Sequence, residues 1–344
     1  MIKLTRIPCT LFLVLMALFV VSGCDDSRST KNDNSASLPK VSILLYKADD
    51  TYVASVAEAM RKLFLGRVEL EIFDGKADPV LQAEQFDAAM DANANALIIN
   101  LVDPKTAGVF MARARNVNIP IIFFNREPDL ETMKSYPRVA FVGTVPEAAG
   151  QMQGDLIAML FEKHPEYDRN HDGIIEYIMF YGETDNPEAV ARTEHSVRRA
   201  MERGVHLKPL GTYFCSWDAT QAEQAMQSAW PAYGQKLELI ISNNDTMALG
   251  AIKALNRYGF NLPDAPADKI IPVVGVDATE EAVEAIGKGM MSATVKQDSQ
   301  AMAEAVAAMT LNALAGGNFL DGTDLQWDYS GMAVRIPYAP YYAD

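Results

Sequence analysis

VSILLYKADDTYVASVAEAMRKLFLGRVELEIFD (41–74) contains three unlike pieces in succession. A β-branched apolar run, VSILLY, reads as a strand, Tyr52 to Leu65 carries helical spacing, and VELEIFD (68–74) reads as a second strand. Strand, helix and strand within 34 residues make a βαβ unit, which implies a parallel sheet. The alternation continues outward with strands ALIINL (96–101), PIIFF (120–124) and VAFVG (139–143), and helices near 79–92 and 105–116. A second series follows: helix 145–163, strand 175–182, helix 187–204, strand 210–215, helix 218–229, strand 237–243 and helix 245–258. It ends with strand 270–277, helix 279–288, strand 292–297 and an Ala-rich helix over 298–315. Two similar α/β halves are expected, and 344 residues suit about two domains of ~150 each.

Hydrophobic residues make up 49% and charged residues 22%, so a sizeable core is available and global disorder is excluded. The net charge of −15 argues against nucleic acid or an anionic lipid surface as partner. Upstream of Val41 the composition changes. Lys3 and Arg6 precede the apolar run Leu11 to Val21, the charged and apolar regions of an export signal, too short to span a bilayer. The run closes on Val21-Ser22-Gly23-Cys24, which resembles a bacterial lipoprotein signal, with Cys24 as the lipidated first residue of the mature chain. Residues 1–23 are therefore expected to be removed. Residues 24–39, nearly devoid of apolar side chains and rich in Ser, Asn and Asp, should act as a flexible tether. Cys215 would then be the one free thiol of the mature protein, a partly buried structural residue.

Polar residues recur where strands end, the ligand-binding edge of open α/β sheets. Asp50 and Tyr52 follow the first strand, Asn125 follows PIIFF, Asn244 and Asp245 follow LELIIS, Asp277 ends VVGVD, and Gln297 ends SATVK. Any one of them reads equally well as a turn former or helix N-cap. Their recurrence in both halves favours a polar cleft between the halves. The sharpest local motif is DRNHDGIIE (168–176): Asp168, Asn170 and Asp172 at positions 1, 3 and 5, Gly173 at 6, and the Ile174 carbonyl at 7 match the first part of a calcium loop. Position 12 is Met179 instead of Glu, so calcium needs an acidic ligand from elsewhere, and the alternative is an Asx-rich surface turn. Mg²⁺ is disfavoured by its stricter geometry and smaller protein ligand set. No G-x-S-x-G, Walker A, G-x-G-x-x-G or H-E-x-x-H sequence occurs, and the four histidines carry no catalytic pattern.

IINLVDP (98–104), FFNREP (123–128), the calcium loop, AVART (189–193), WDATQA (217–222), SNNDTMALGA (242–251), VVGVDAT (273–279) and VRIPY (334–338) together resemble the periplasmic D-galactose/D-glucose-binding proteins of the type I periplasmic-binding-protein superfamily. The resemblance runs from about Val41 to Tyr338. It implies an α/β fold of two Rossmann-like lobes with parallel sheets joined by three hinge strands, and a hexose buried between them. The implied lobes are 40–144 plus 298–338, and 145–297 plus 339–344.

Carried over by position, the sugar site falls on Asp50, Tyr52, Asn125, Asn186, Glu188, Arg192, Trp217, Asn244, Asp277 and Gln297. The family usually has Phe, His, Asp and Asn where this chain has Tyr52, Asn186, Glu188 and Gln297. The first change keeps an aromatic face; the other three alter hydrogen-bond reach. Taken from residues alone, Glu188 and Arg192 are also compatible with a surface i,i+4 pair, and Trp217 with core. The same carry-over places structural Ca²⁺ on Asp168, Asn170, Asp172, the Ile174 carbonyl, Glu176 and Glu238. The implied protein is a monomeric, lipid-anchored, extracytoplasmic binding protein with no enzymatic activity, delivering a monosaccharide to the membrane subunits of an ABC importer. The alternative partner is a chemoreceptor or sensor kinase.

Overall fold

The computed structural model describes residues 37–343. The signal (1–23), Cys24 and nearly all of the 24–39 tether lie outside the described residues, as does Asp344.

β1 (Lys40–Leu45) has five of its six residues buried, as expected of a parallel strand covered on both faces. α1 (Thr51–Phe64) starts where the Asp50 side chain accepts from the Val53 N–H, and its buried Val53, Val56, Met60 and Phe64 lie on the face turned to the sheet. β2 (Glu69–Asp74) then pairs parallel with β1, completing the βαβ unit. The series continues through α2 (Pro79–Asp91), β3 (Ala96–Ile99), α3 (Ala107–Asn116), β4 (Ile121–Phe124), α4 (Leu130–Met133) and β5 (Val139–Gly143).

The second series comprises α5 (Pro146–Lys163), β6 (Ile175–Tyr181), α6 (Pro187–Glu202), β7 (Leu207–Phe214), α7 (Ala219–Tyr233), β8 (Leu239–Ser242), α8 (Asp245–Arg257), β9 (Val273–Asp277), α9 (Glu280–Gly287) and β10 (Ala293–Gln297). The chain closes with α10 (Ser299–Leu314), β11 (Ala333–Arg335) and β12 (Tyr338–Tyr342). The strands form two six-stranded sheets, ordered β11-β5-β4-β3-β1-β2 and β12-β10-β9-β8-β6-β7.

Three crossovers join the lobes: β5 to α5, β10 to α10, and β11 to β12. α10 returns to the first lobe, where Met302, Val306 and Met309 join Val56, Met60 and Phe64 of α1 in one apolar cluster. α5 and α6 pack backbone to backbone. A Cβ at Gly154 would come within 2.6 Å of the Ser196 carbonyl oxygen, so glycine lets α6 approach closely enough to be fixed in position. That matters because the first turns of α6 carry two of the expected site residues, Glu188 and Arg192, and its N-cap is a third, Asn186.

Both sheets are parallel apart from one edge strand, and the expected end of the first lobe at 338 needs one correction. β12 runs antiparallel to β10, with Tyr338 opposite Gln297, so Tyr338 belongs to the second sheet and not to the first lobe. β11 leaves the first sheet at its carboxyl-end edge, beside Gly143. After two residues the chain enters the second sheet at that sheet's carboxyl-end edge, beside Gln297, so without turning back it runs antiparallel to β10. The edge strand β7 also starts at Leu207 instead of 210.

Candidate functional site

A cavity of about 360 Å³ opens between the lobes at the carboxyl ends of both sheets. All ten residues expected to meet a sugar line it. On the first-lobe side Asp50 is at once N-cap and site residue: its Oδ1 accepts from Val53 N at 2.9 Å, and its Oδ2 accepts from the Tyr46 hydroxyl. Tyr52 is buried on the first turn of α1, with its hydroxyl 3.4 Å from Met302 Sδ. Asn125 adopts φ 61° just past β4, and its Oδ1 accepts from Asn100 Nδ2 at 3.0 Å.

From the second lobe, Asn186 caps α6 by accepting from Glu188 N at 2.9 Å, and Asn244 caps α8 by accepting from Met247 N at 3.0 Å. The two readings of such residues are thus both true: one atom caps the helix while the residue faces the cavity. Trp217 follows β7 with Ser216, both at positive φ (64° and 47°). A Cβ at Gly182 would lie 2.4 Å from the Trp217 ring, so this glycine makes room for the indole.

Arg192 is the centre of the polar network. It is 4% exposed; its Nη1 donates to the Asn243 carbonyl (2.8 Å), and its Nη2 donates to Gln297 Oε1 (2.9 Å) and to the Tyr338 oxygen (3.2 Å). Glu188 Oε2 lies 3.1 Å from Nη2, and Asp277 Oδ1 lies 3.9 Å from Nη1. Glu188 and Arg192 are therefore a pair within the cleft, with Arg192 buried and Glu188 largely so, instead of a surface pair. Glu188 Oε1 accepts from Thr144 Oγ1 at 3.0 Å, and the Tyr338 hydroxyl donates to Thr144 at 2.9 Å. Thr144, Gln297 and Tyr338, one from each crossover, thus converge on a single helix turn. Burial opposes the Arg192 charge, yet Tyr338, Glu188 and Asp277 together hold its pKa above the ordinary value. Burial raises the Asp277 pKa, with Arg192 pulling the other way. Two buried donors in this network, Arg192 Nε and Gln297 Nε2, have no hydrogen-bond partner.

Sequence reasoning missed Tyr46, Arg126, Thr144, Glu183 and Tyr338. Arg126 lies with its guanidinium carbon 3.7 Å from the Tyr46 ring centre and its Nη2 2.9 Å from Glu183 Oε2, bridging the lobes at the cavity. Arg126 and Tyr338 stand inside the segments FFNREP and VRIPY, so proximity to a family motif was the available signal.

The six expected calcium residues gather around one loop. Asn170 Oδ1 accepts from Asp172 N, Asp172 Oδ1 from Ile174 N (both 2.8 Å), and Asp168 Oδ2 from Gly173 N (2.9 Å). Glu238, remote in sequence, closes the loop by accepting from Arg169 N (2.7 Å) and Glu176 N (3.1 Å). Burial raises the Glu238 pKa against those hydrogen bonds. Glu176 Oε1 pairs with Lys208 Nζ at 3.0 Å. Among the described residues no three His, Cys, Asp or Glu side chains converge at metal-holding distance, because these carboxylates face backbone N–H groups. The donor types still suit a hard cation, and Asp168 Oδ1 is buried without a partner. Cys215 is buried, and burial pushes its thiol up to about 11, as fits a structural cysteine.

Two α/β lobes, three crossovers and a polar cavity at the strand ends define a cleft-binding protein. Residues 41–318 match the periplasmic binding protein domain family. The D-galactose/methyl-galactoside binding periplasmic protein of Haemophilus influenzae is 34% identical over 303 residues, covering 87% of this chain and 88% of the relative. Among solved structures, an ABC transporter solute-binding protein from Bacillus halodurans with bound myo-inositol superposes at TM-score 0.71 and 23% identity, covering 90% and 96% of the two chains. A periplasmic solute-binding protein from Actinobacillus succinogenes with bound D-allose gives 0.73 at 15% identity, covering 88% and 97%. The chain belongs to the type I periplasmic binding proteins, in the branch that holds the D-galactose-binding proteins. This family consists of extracytoplasmic substrate-binding proteins. No helix among the described residues is long and apolar enough to cross a membrane.

Proposed function

We propose that the cavity captures one D-aldohexopyranose, of the glucose or galactose type, and that the closed form hands it to an ABC importer. The observation that carries this reading is the pair of orphaned buried donors, Arg192 Nε and Gln297 Nε2, in a cavity also lined by Asp50, Glu188 and Asp277. Every pyranose hydroxyl both donates and accepts, so its ring of oxygens satisfies donors and carboxylates at once. An unsatisfied buried polar group costs about 1–3 kcal/mol, which a ligand oxygen would remove. Tyr52 and Trp217 line the cavity from opposite lobes, and their rings would meet the apolar C–H faces of the sugar. The D-galactose/methyl-galactoside binding relative supports a hexose, and the fold neighbours hold D-allose and myo-inositol, which are likewise small polyhydroxylated compounds. The lobes touch directly through Arg126–Glu183 and through Thr246 and Thr51 (Oγ1 to Oγ1 3.3 Å), contacts that an opened cleft would lose. Small-angle scattering is therefore expected to show a smaller radius of gyration with saturating D-glucose or D-galactose. An unchanged radius with bound sugar would contradict capture by closure.

The proposal extends to a lipid anchor and a structural cation. A lipid on Cys24 would anchor the protein through residues 24–39, supported by the Val21-Ser22-Gly23-Cys24 sequence. Asp168, Asn170, Asp172, the Ile174 carbonyl, Glu176 and Glu238 would hold Ca²⁺, whose charge would stabilise the loop between α5 and β6. A native-state ligand at a hundredfold its Kd adds about 2.7 kcal/mol. Chelation is accordingly expected to lower the melting temperature by about 5 °C or more, with Glu238→Gln reproducing most of the loss. A melting curve of verified calcium-loaded protein that ignores chelator would refute the site.

A further inference from the structure

We propose that Asp245, outside the cavity, is a positioning residue that holds the sugar-facing Asp277 in its binding pose. The proposal rests on the hexose reading of the cavity. Asp277 and Ala278 adopt φ 124° and 55°, conformations that L-residues other than glycine rarely take and that persist only where neighbours enforce them. Asp245 supplies that enforcement. Its side chain is fully buried; its Oδ2 accepts from Thr279 N at 3.0 Å, directly past the strained pair, and its Oδ1 accepts from Thr294 Oγ1 at 2.6 Å on the adjoining strand β10. Glycine at 275 leaves the space, since a Cβ there would stand 2.2 Å from Asp245 Oδ1. The carboxylate thus ties the end of β9 to β10 and to the first turn of α8. Burial pushes its pKa up to about 7, opposed by the Thr294 and Thr279 donors, so a readily ionised group is kept in a place where ionisation is disfavoured.

A double-mutant cycle read by calorimetry with D-galactose and D-glucose tests the assignment. Asp245→Ala is expected to weaken binding about tenfold or more in the wild-type background and less than about threefold in an Asp277→Asn background, because the second variant has already lost what the first one aligns. Asp245→Asn, which can accept from Thr279 N and donate to Thr294, should stay within about threefold of wild type. Losses that add in full across the cycle would overturn the proposal. If Asp245→Ala does not fold, Thr294→Val removes one of the two ties and should show the same non-additivity at smaller amplitude. If the wild-type chain binds no monosaccharide, the reading of the cavity falls while the positioning role is decided by a crystal structure of Thr294→Val, with Asp245→Asn as the control that keeps both ties. A backbone at 277–279 that relaxes in Thr294→Val supports the tie, and one unchanged in Thr294→Val overturns it.

Discussion

Arg192→Met is expected to abolish measurable hexose binding and to destabilise the fold by about 3–5 kcal/mol, the usual result of removing one partner of a buried ion pair. The guanidinium is what compensates Glu188 and Asp277, and Gln297, Tyr338 and the Asn243 carbonyl all orient on it. Methionine fills part of the volume but leaves Glu188 and Asp277 without the cation that faces both. The Asp277 pKa must then rise beyond the elevation that burial already gives it, because Arg192 is the group that lowers it. The sign of the pH dependence follows. A carboxylate whose folded pKa lies above its unfolded value binds more protons in the native state, so stability falls as pH rises through the interval between the two values. The deficit of Arg192→Met relative to wild type should therefore be smallest near pH 4–5 and grow toward neutrality, from the ordinary carboxylate range of about 4 upward. Urea unfolding at several pH values measures it. A deficit independent of pH would mean that the pair is not electrostatically linked to Arg192.

Trp217→Ala is expected to weaken hexose binding by about thirtyfold or more, corresponding to at least ~2 kcal/mol for a large aromatic contact at the centre of a site. Stability should change much less, because the indole is only half-buried and flanks its lobe's apolar cluster instead of standing inside it. Trp217→Phe retains a face and should recover most of the affinity. Titration of both variants checks this, and equal losses in the two would point to the indole N–H, not to stacking.

How much of this was readable beforehand differs from element to element. Buried parallel strands such as LIIS and IIFF announce themselves as apolar runs, because covering both faces of a sheet leaves no room for polar alternation. β11 and β12 did not: three and five residues, Pro340 inside the second, and an exposed outer face give no periodic signal, and only pairing with β5 and β10 defines them. The same reason hid Tyr338, whose role depends on the chain passing from one sheet to the other through a two-residue connection. The ten cavity residues were legible through family motifs, whereas their mutual geometry was not. Glu188 and Gln297, each longer by a methylene than the family norm, use that reach on Thr144 and Arg192. Sequence shows such a change in length but not which atom it meets. The Arg126–Glu183 contact was invisible for a similar reason, as its partners stand 57 residues apart on different lobes.

Isothermal titration of the purified chain with D-glucose, D-galactose, a pentose, a disaccharide and a nucleoside tests the central claim most directly. One site per chain, tight binding of D-glucose or D-galactose and far weaker binding of the rest are the predicted outcome. Tight binding of the pentose, the disaccharide or the nucleoside, with no heat from either hexose, would contradict it.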